Sequence, residues 1–153
     1  MTITLQATPK TLAPGEGDAH PMLTHTVVWK VTGDDTNGQY AMFEMIDTAG
    51  GEAPLHCHPW EETFYILEGE IEIQAGDFQQ IVSAGAMSHI PANTAHRFKV
   101  RSPMARALHI VSPASGAAFY REVGTGIVNL PPDPIVFQEI CAKHGLQLLG
   151  GQS

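Results

Sequence analysis

The sequence predicts an all-β protein, an antiparallel sandwich or barrel, with a short helix near its C-terminus. Three observations lead there. Short segments of β-branched and aromatic residues recur between residues 26 and 112, each bounded by turn-forming clusters. Gly (15) and Pro (11) are both frequent, which disfavours long helices. One strong helix-start signal, Asp133-Pro134, stands in the C-terminal tail, where an N-cap residue precedes Pro at the first helical position. A length of 153 residues points to one domain with enough chain to bury a sizeable core.

Taken in order, residues 1–24 are expected as an N-terminal arm, with Pro9–Pro21 extended and rich in Pro, Gly and Ala. Residues 25–113 are expected as the barrel. Thr26–Val31 (TVVWKV) is the first strand candidate, and Asn37-Gly38 marks a hairpin before Gln39–Asp47 (QYAMFEMID). The parity of that second segment stays open. Either Tyr40, Met42, Glu44 and Ile46 face inward, or Ala41, Phe43 and Met45 do. Leu55–His58, Thr63–Leu67 and Glu70–Gln74 follow, separated by Glu68-Gly69 and closed by Gly76-Asp77. Gln80–Val82, Ser88–Pro91, His96–Arg101 and Ala105–Ser112 complete a set of eight or nine strands. Residues 114–153 are expected as a helical extension packed on the outside of the barrel. Within it, Ile135–His144 forms a helix stopped by Gly145, and Ala117–Val123 forms a turn or two.

Composition narrows the function classes. Eight Lys and Arg against sixteen Asp and Glu give a formal charge of −8, which argues against nucleic acid and anionic membranes as partners. No run approaches the roughly 18 apolar residues of a membrane span, and no leader pattern opens the chain, so the expected location is cytoplasmic. Cys57 and Cys141 make no disulfide framework and fit a reducing compartment. The nucleophile elbow, the phosphate-binding loop and the dinucleotide fingerprint are absent.

Chemistry concentrates in the histidines. His56 and His58 stand at i and i+2, on one face of a strand. Glu62 follows four residues later, and His96 opens a downstream strand. If the sheet closes, the four side chains converge. Three imidazoles and a carboxylate suit one divalent first-row ion: Fe, Mn, Ni, Cu, Co or Zn. The His-x-His pair by itself is a weak signal, because strand histidines are often surface or satisfied core residues. Cys57, between the two histidines, is expected on the opposite face as a small buried residue. His89 is expected as a packed structural residue. His109 can face either way, and His20 and His25 lie in or near the arm.

Residues 50–69 follow the pattern G-x5-H-x-H-x3-E-x6-G through Gly50, His56, His58, Glu62 and Gly69. This resembles the first motif of the cupin superfamily at every spacing. Residues 85–96 resemble its second motif through Gly85, Pro91 and His96, with Asn93 in place of a Gly and Val100 in place of an Asn. Asn tolerates the left-handed backbone a turn needs, whereas Val100 removes a polar group. The resemblance implies a jelly-roll β-barrel of the small single-domain, cupin-2 type, with His56, His58, Glu62 and His96 as metal ligands.

The same strand parity places Phe64, Ile66, Phe98 and Val100 in the substrate pocket, and Trp60 is expected at its mouth. Such a pocket is apolar with a metal at its polar end, which favours a small aromatic or enolic ligand. The chain looks like small one-domain cupins with quercetinase-like flavonol dioxygenases among their relatives. That implies a dioxygenase-type oxidoreductase in which Glu62 is catalytic, as base toward an enol proton. Two alternatives stand beside it: a metal-dependent isomerase, cyclase or lyase, and a non-enzymatic small-ligand-binding protein. A homodimer paired through strands and the arm is expected, since open sheet edges need cover.

Overall fold

In the computed structural model, which describes residues 7–150, the short β-rich segments pair into two antiparallel sheets. The strands are β1 (Asp18–Met22), β2 (His25–Val31), β3 (Ala41–Thr48), β4 (Glu52–Cys57), β5 (Glu61–Glu68) and β6 (Glu70–Ala75). They continue with β7 (Phe78–Ser83), β8 (Met87–Ile90), β9 (His96–Val100) and β10 (Met104–Ser112). A 3-10 turn at Ala114–Gly116 leads into α1 (Ala117–Gly126), followed by α2 (Pro134–His144) and the short β11 (Gln147–Leu148). One sheet runs β1-β2-β3-β10-β5-β8 and the other β11-β4-β9-β6-β7. This is the jelly-roll arrangement, with a short helical segment at the C-terminal end. No helix among the described residues is long and apolar enough to cross a membrane.

Local chemistry accounts for the elements. Asn37 and Gly38 both take positive φ in the connection between β2 and β3, as the hairpin signal requires. Asn93 adopts φ 62°, so it fills the Gly position of the second motif. The Asp133 carboxylate accepts hydrogen bonds from the backbone N–H of Ile135 (2.8 Å) and Val136 (3.4 Å), and Gly145 ends α2 with φ 74°. On β3 the parity resolves to Ala41, Phe43 and Met45 inward. The outward Glu44 is nevertheless buried, beneath the Arg106 guanidinium at 2.6 Å.

Two parts of the fold depart from the sequence reading. The segment taken as an arm ends as a paired strand: β1 lies antiparallel to β2, with Asp18 opposite Trp29 and Met22 opposite His25. Residues 1–6 of that arm and 151–153 of the extension lie outside the described residues. The helices, expected on the barrel's outside, instead cover its cavity. Phe119, Tyr120, Val123 and Ile140 join Trp29, Phe43, Met45 and Trp60 in one core cluster. Their apolar side chains need burial, and the cavity supplies the unfilled apolar surface. A second cluster, including Phe64, Ile66, Ile73, Val82 and Val100, fills the space between the sheets further along.

Candidate metal centre

Backbone pairing brings the distant histidines together. β4 and β9 lie side by side with His56 opposite His96, and His58 follows at the turn into β5. The imidazole centroids of His56 and His96 are 4.2 Å apart, and those of His58 and His96 are 4.8 Å apart. One ring nitrogen from each of His56, His58 and His96 lies within 4.8 Å of the others, a group able to hold a metal ion. Glu62, the second residue of β5, directs Oε2 at the same point: 3.2 Å from His58 Nε2 and 3.5 Å from His96 Nε2.

The donor set fits a cation for a specific reason. Each Nδ1 is committed to a backbone carbonyl: His56 to Pro54 (2.6 Å), His58 to Trp60 (2.9 Å) and His96 to Thr94 (2.8 Å). A carbonyl only accepts, so Nδ1 carries the proton and the neutral ring presents its Nε2 lone pair inward. His96 Nε2 is buried without a hydrogen-bond partner. Lone pairs facing a carboxylate repel it unless a positive charge lies between them. A divalent ion supplies that charge, and the carbonyl contacts are the outer support that ligand histidines use. Burial, reinforced by the neighbouring His96, pushes His56 down to about 4, which keeps it neutral and ligand-ready.

Behind the group sits a network that the sequence reading missed. Glu62 Oε1 accepts from His109 Nδ1 (3.0 Å) and from the Tyr120 hydroxyl (2.9 Å). Burial by itself raises the Glu62 pKa. The hydrogen bond from His109 leads the contacts that outweigh it, with the His58 and His96 rings close by, and the carboxyl is held well below its usual range. Burial and then the Glu62 charge push the Tyr120 phenol well above its usual value, so it stays a donor. His109 stacks on Phe43 (5.0 Å, 19°) and meets the edge of Phe64 at 4.5 Å. A signal for His109 existed: Ala105, Ala107, His109 and Val111 alternate with larger or charged residues on β10, and all four are buried. No local signal marks Tyr120, which reaches the site only because α1 docks over it.

A cavity of about 90 Å³ opens onto this group, lined by His56, Glu62, His96, Phe64, Phe98 and Tyr120 among others. Three of the residues expected there lie elsewhere. Ile66 and Val100 point inward but belong to the deeper core. Each is four residues beyond a candidate ligand, and at roughly 3.3 Å per residue that is about 13 Å along the strand. Trp60 is buried, not at a mouth: its ring stacks on His58 at 4.1 Å and 7°, beneath Phe119. Gly116 permits this, because a Cβ there would lie 2.6 Å from the indole. His89 is exposed, with Nδ1 2.9 Å from the Thr63 hydroxyl, not packed in the core. Cys57 is half-buried and outside the histidine group.

Comparison with known proteins agrees with this geometry. Residues 43–111 match the family described as Cupin_2, cupin domain. A quercetin 2,3-dioxygenase of Bacillus subtilis (strain 168) is 28% identical over 121 residues, covering 77% of this chain and 35% of that protein. The chain thus spans about a third of that relative's length. The polyketide cyclase RemF from Streptomyces resistomycificus superposes with a TM-score of 0.59 at 24% identity, over 69% of this chain and 80% of that one. An RmlC-like cupin from Shewanella frigidimarina gives 0.61 at 15% identity, over 71% and 96%. At these identities the structural likeness concerns the fold. Together, the jelly-roll fold, the matched segment and a histidine triad suited to a metal ion make residues 43–111 a cupin domain and support a small protein of the cupin-2 type.

Proposed function

We propose that this protein is a metal-dependent enzyme of the dioxygenase type, acting on a small aromatic or enolic substrate. The observation that carries the proposal is the convergence of three Nε2 atoms and Glu62 Oε2 at the polar end of an otherwise aromatic cavity. His56, His58 and His96 would hold the ion, with Glu62 as fourth ligand. A bound Fe, Mn, Ni, Cu, Co or Zn supplies Lewis acidity toward a substrate oxygen and, where redox-active, a route to dioxygen. The chain's own residues do the rest. The carbonyls of Pro54, Trp60 and Thr94 fix the ring orientations, while His109 and Tyr120 hold Oε1 so that Oε2 faces inward. Phe64, Phe98 and Phe119 form a wall that excludes water and accepts a flat ring. Similarity to a quercetin 2,3-dioxygenase supports the oxidative reading.

Cavity size narrows the substrate. A volume of about 90 Å³ is below the roughly 150 Å³ that accommodates benzene in an engineered protein cavity. A short enol or a single ring with modest adjustment fits this scale. A three-ring flavonol requires α1 and α2 to move outward. The test is metal content of the purified protein beside a His56→Ala, His58→Ala double variant, then oxygen uptake with single-ring enols and with flavonols. About one transition ion per chain, lost in the variant, together with oxygen consumption, supports the proposal. Oxygen-independent turnover would move the assignment to an isomerase or cyclase. Tight binding without product would make the protein a ligand-binding cupin. The homodimer belongs to the same proposal, supported by the outward Tyr65 and Met87, which are exposed and paired across β5 and β8; a monomer by light scattering at micromolar concentration removes it.

A further inference from the structure

The cavity has a second polar feature. His25, the first residue of β2, and Asp47, near the end of β3, are buried to 5% and 4% exposure. They face each other one step beyond the Thr26–Ile46 strand pair, and His25 Nδ1 contacts Asp47 Oδ1 directly. Asp47 also borders a small void walled by Phe64, Ile66, Ile71, Ile73 and Phe98, an apolar setting for a carboxylate. The backbone makes room for it: a Cβ on Gly51 would lie 2.8 Å from Asp47 Oδ1. The His25 ring lies 5.9 Å from that of Phe98 and lines the same cavity as His56, His96 and Glu62.

Burying such a pair seldom adds stability, because the desolvation penalty offsets the attraction. Its chemistry is more informative. A carboxylate on Nδ1 fixes the tautomer and stabilises the imidazolium that forms when Nε2 takes a proton. Glu62 is poorly placed for that task. Its Oε1 already accepts two hydrogen bonds, and its Oε2 faces two candidate ligand nitrogens.

We propose that His25 is the proton acceptor for an acidic hydroxyl of the substrate, with Asp47 as its positioning residue, and that the substrate is therefore a small phenol or enol whose hydroxyl points away from the histidine triad. The substrate O–H bond breaks, its electron pair stays on oxygen and the proton passes to His25 Nε2. The proton stays on His25, and the Asp47 carboxylate at Nδ1 balances the charge of the imidazolium. This deepens the proposed function and rests on its assignment of the cavity as the substrate site.

The test uses 4-nitrophenol, a single-ring phenol whose ionisation is visible in its absorption spectrum. Binding to the intact protein, as purified and after chelation, is followed below the pH at which the free probe ionises. The expected result is ionised probe in the wild type. In His25→Gln the bound probe stays neutral and affinity falls about tenfold or more, and Asp47→Asn gives a smaller loss. Thermal melts and metal content are read on the same samples. If the variants fail to fold, the wild-type spectrum decides: a neutral bound probe, or no binding, overturns the proposal. A His25→Gln protein that ionises the probe as fully as wild type overturns it too. A wild type that holds no metal yet ionises the probe through His25 removes the metal reading and keeps this one. A metal-loaded protein with neutral bound probe does the reverse.

Discussion

Glu62 shows how a single residue is set by opposing effects. Burial disfavours its charge, yet His109 and Tyr120 both donate to Oε1, the His58 and His96 rings crowd Oε2, and the charged form wins. Removing one partner should therefore be felt. Tyr120→Phe is expected to lower stability by about 1.5–3 kcal/mol, the range for a hydrogen bond to a charged group, read from urea unfolding. The same variant should weaken metal binding about 10–100-fold, because Oε1 loses its outer support. His56 sets a pH dependence. Burial pushes its folded pKa down to about 4 from the ordinary 6.5, so between those values the unfolded chain binds a proton that the folded one does not. Stability of the metal-free protein should fall as pH drops from about 6.5 to 4. The depressed Glu62 adds loss in the same direction at still lower pH. Melting temperatures across pH 7.5 to 4 that stay flat would contradict this.

Among elements, strand alternation and helix docking contribute differently. Period-2 alternation correctly set the inward faces of β5 and β9, and Phe64 and Phe98 do line the cavity. It carries no information on depth along the strand, which is why it points Ile66 and Val100 to the pocket while they lie in the core beyond it. Helix α1 and the 3-10 turn before it add what no strand could: Phe119 and Tyr120 over the cavity, and a backbone at Gly116 close enough to pin Trp60 against His58. Gly116→Ala is expected to lower stability by about 1–3 kcal/mol through overpacking against the indole. Tryptophan fluorescence should shift with it, since the Trp60–His58 stack must move. An unchanged melt and spectrum would show that the helix yields instead.

At the scale of the whole molecule, the two sheets and the two helices build one site, so metal binding should report on the global fold. An ion at about a thousand times its dissociation constant adds roughly 4 kcal/mol, which for a chain of this size corresponds to about 8–16 °C in Tm. The His56→Ala, His58→Ala double variant should show no such rise on metal addition, and a rise equal to wild type would place the ion elsewhere. Local chemistry alone yields the nine strands between residues 25 and 112, the capped α2, and four residues bound for one point. Those are properties of local chemistry and spacing: β-branched runs between turns, Asp133 before Pro134, a His-x-His-x3-Glu pattern. The pairing of β1, the closing of the cavity by α1 and α2, and the placing of Tyr120, His109 and the Asp47-backed His25 along it come only from the tertiary structure. The reason is physical. Whether a helix or arm covers a cavity, and what a buried charge faces there, depends on contacts between residues far apart in the chain. No local periodicity encodes those contacts.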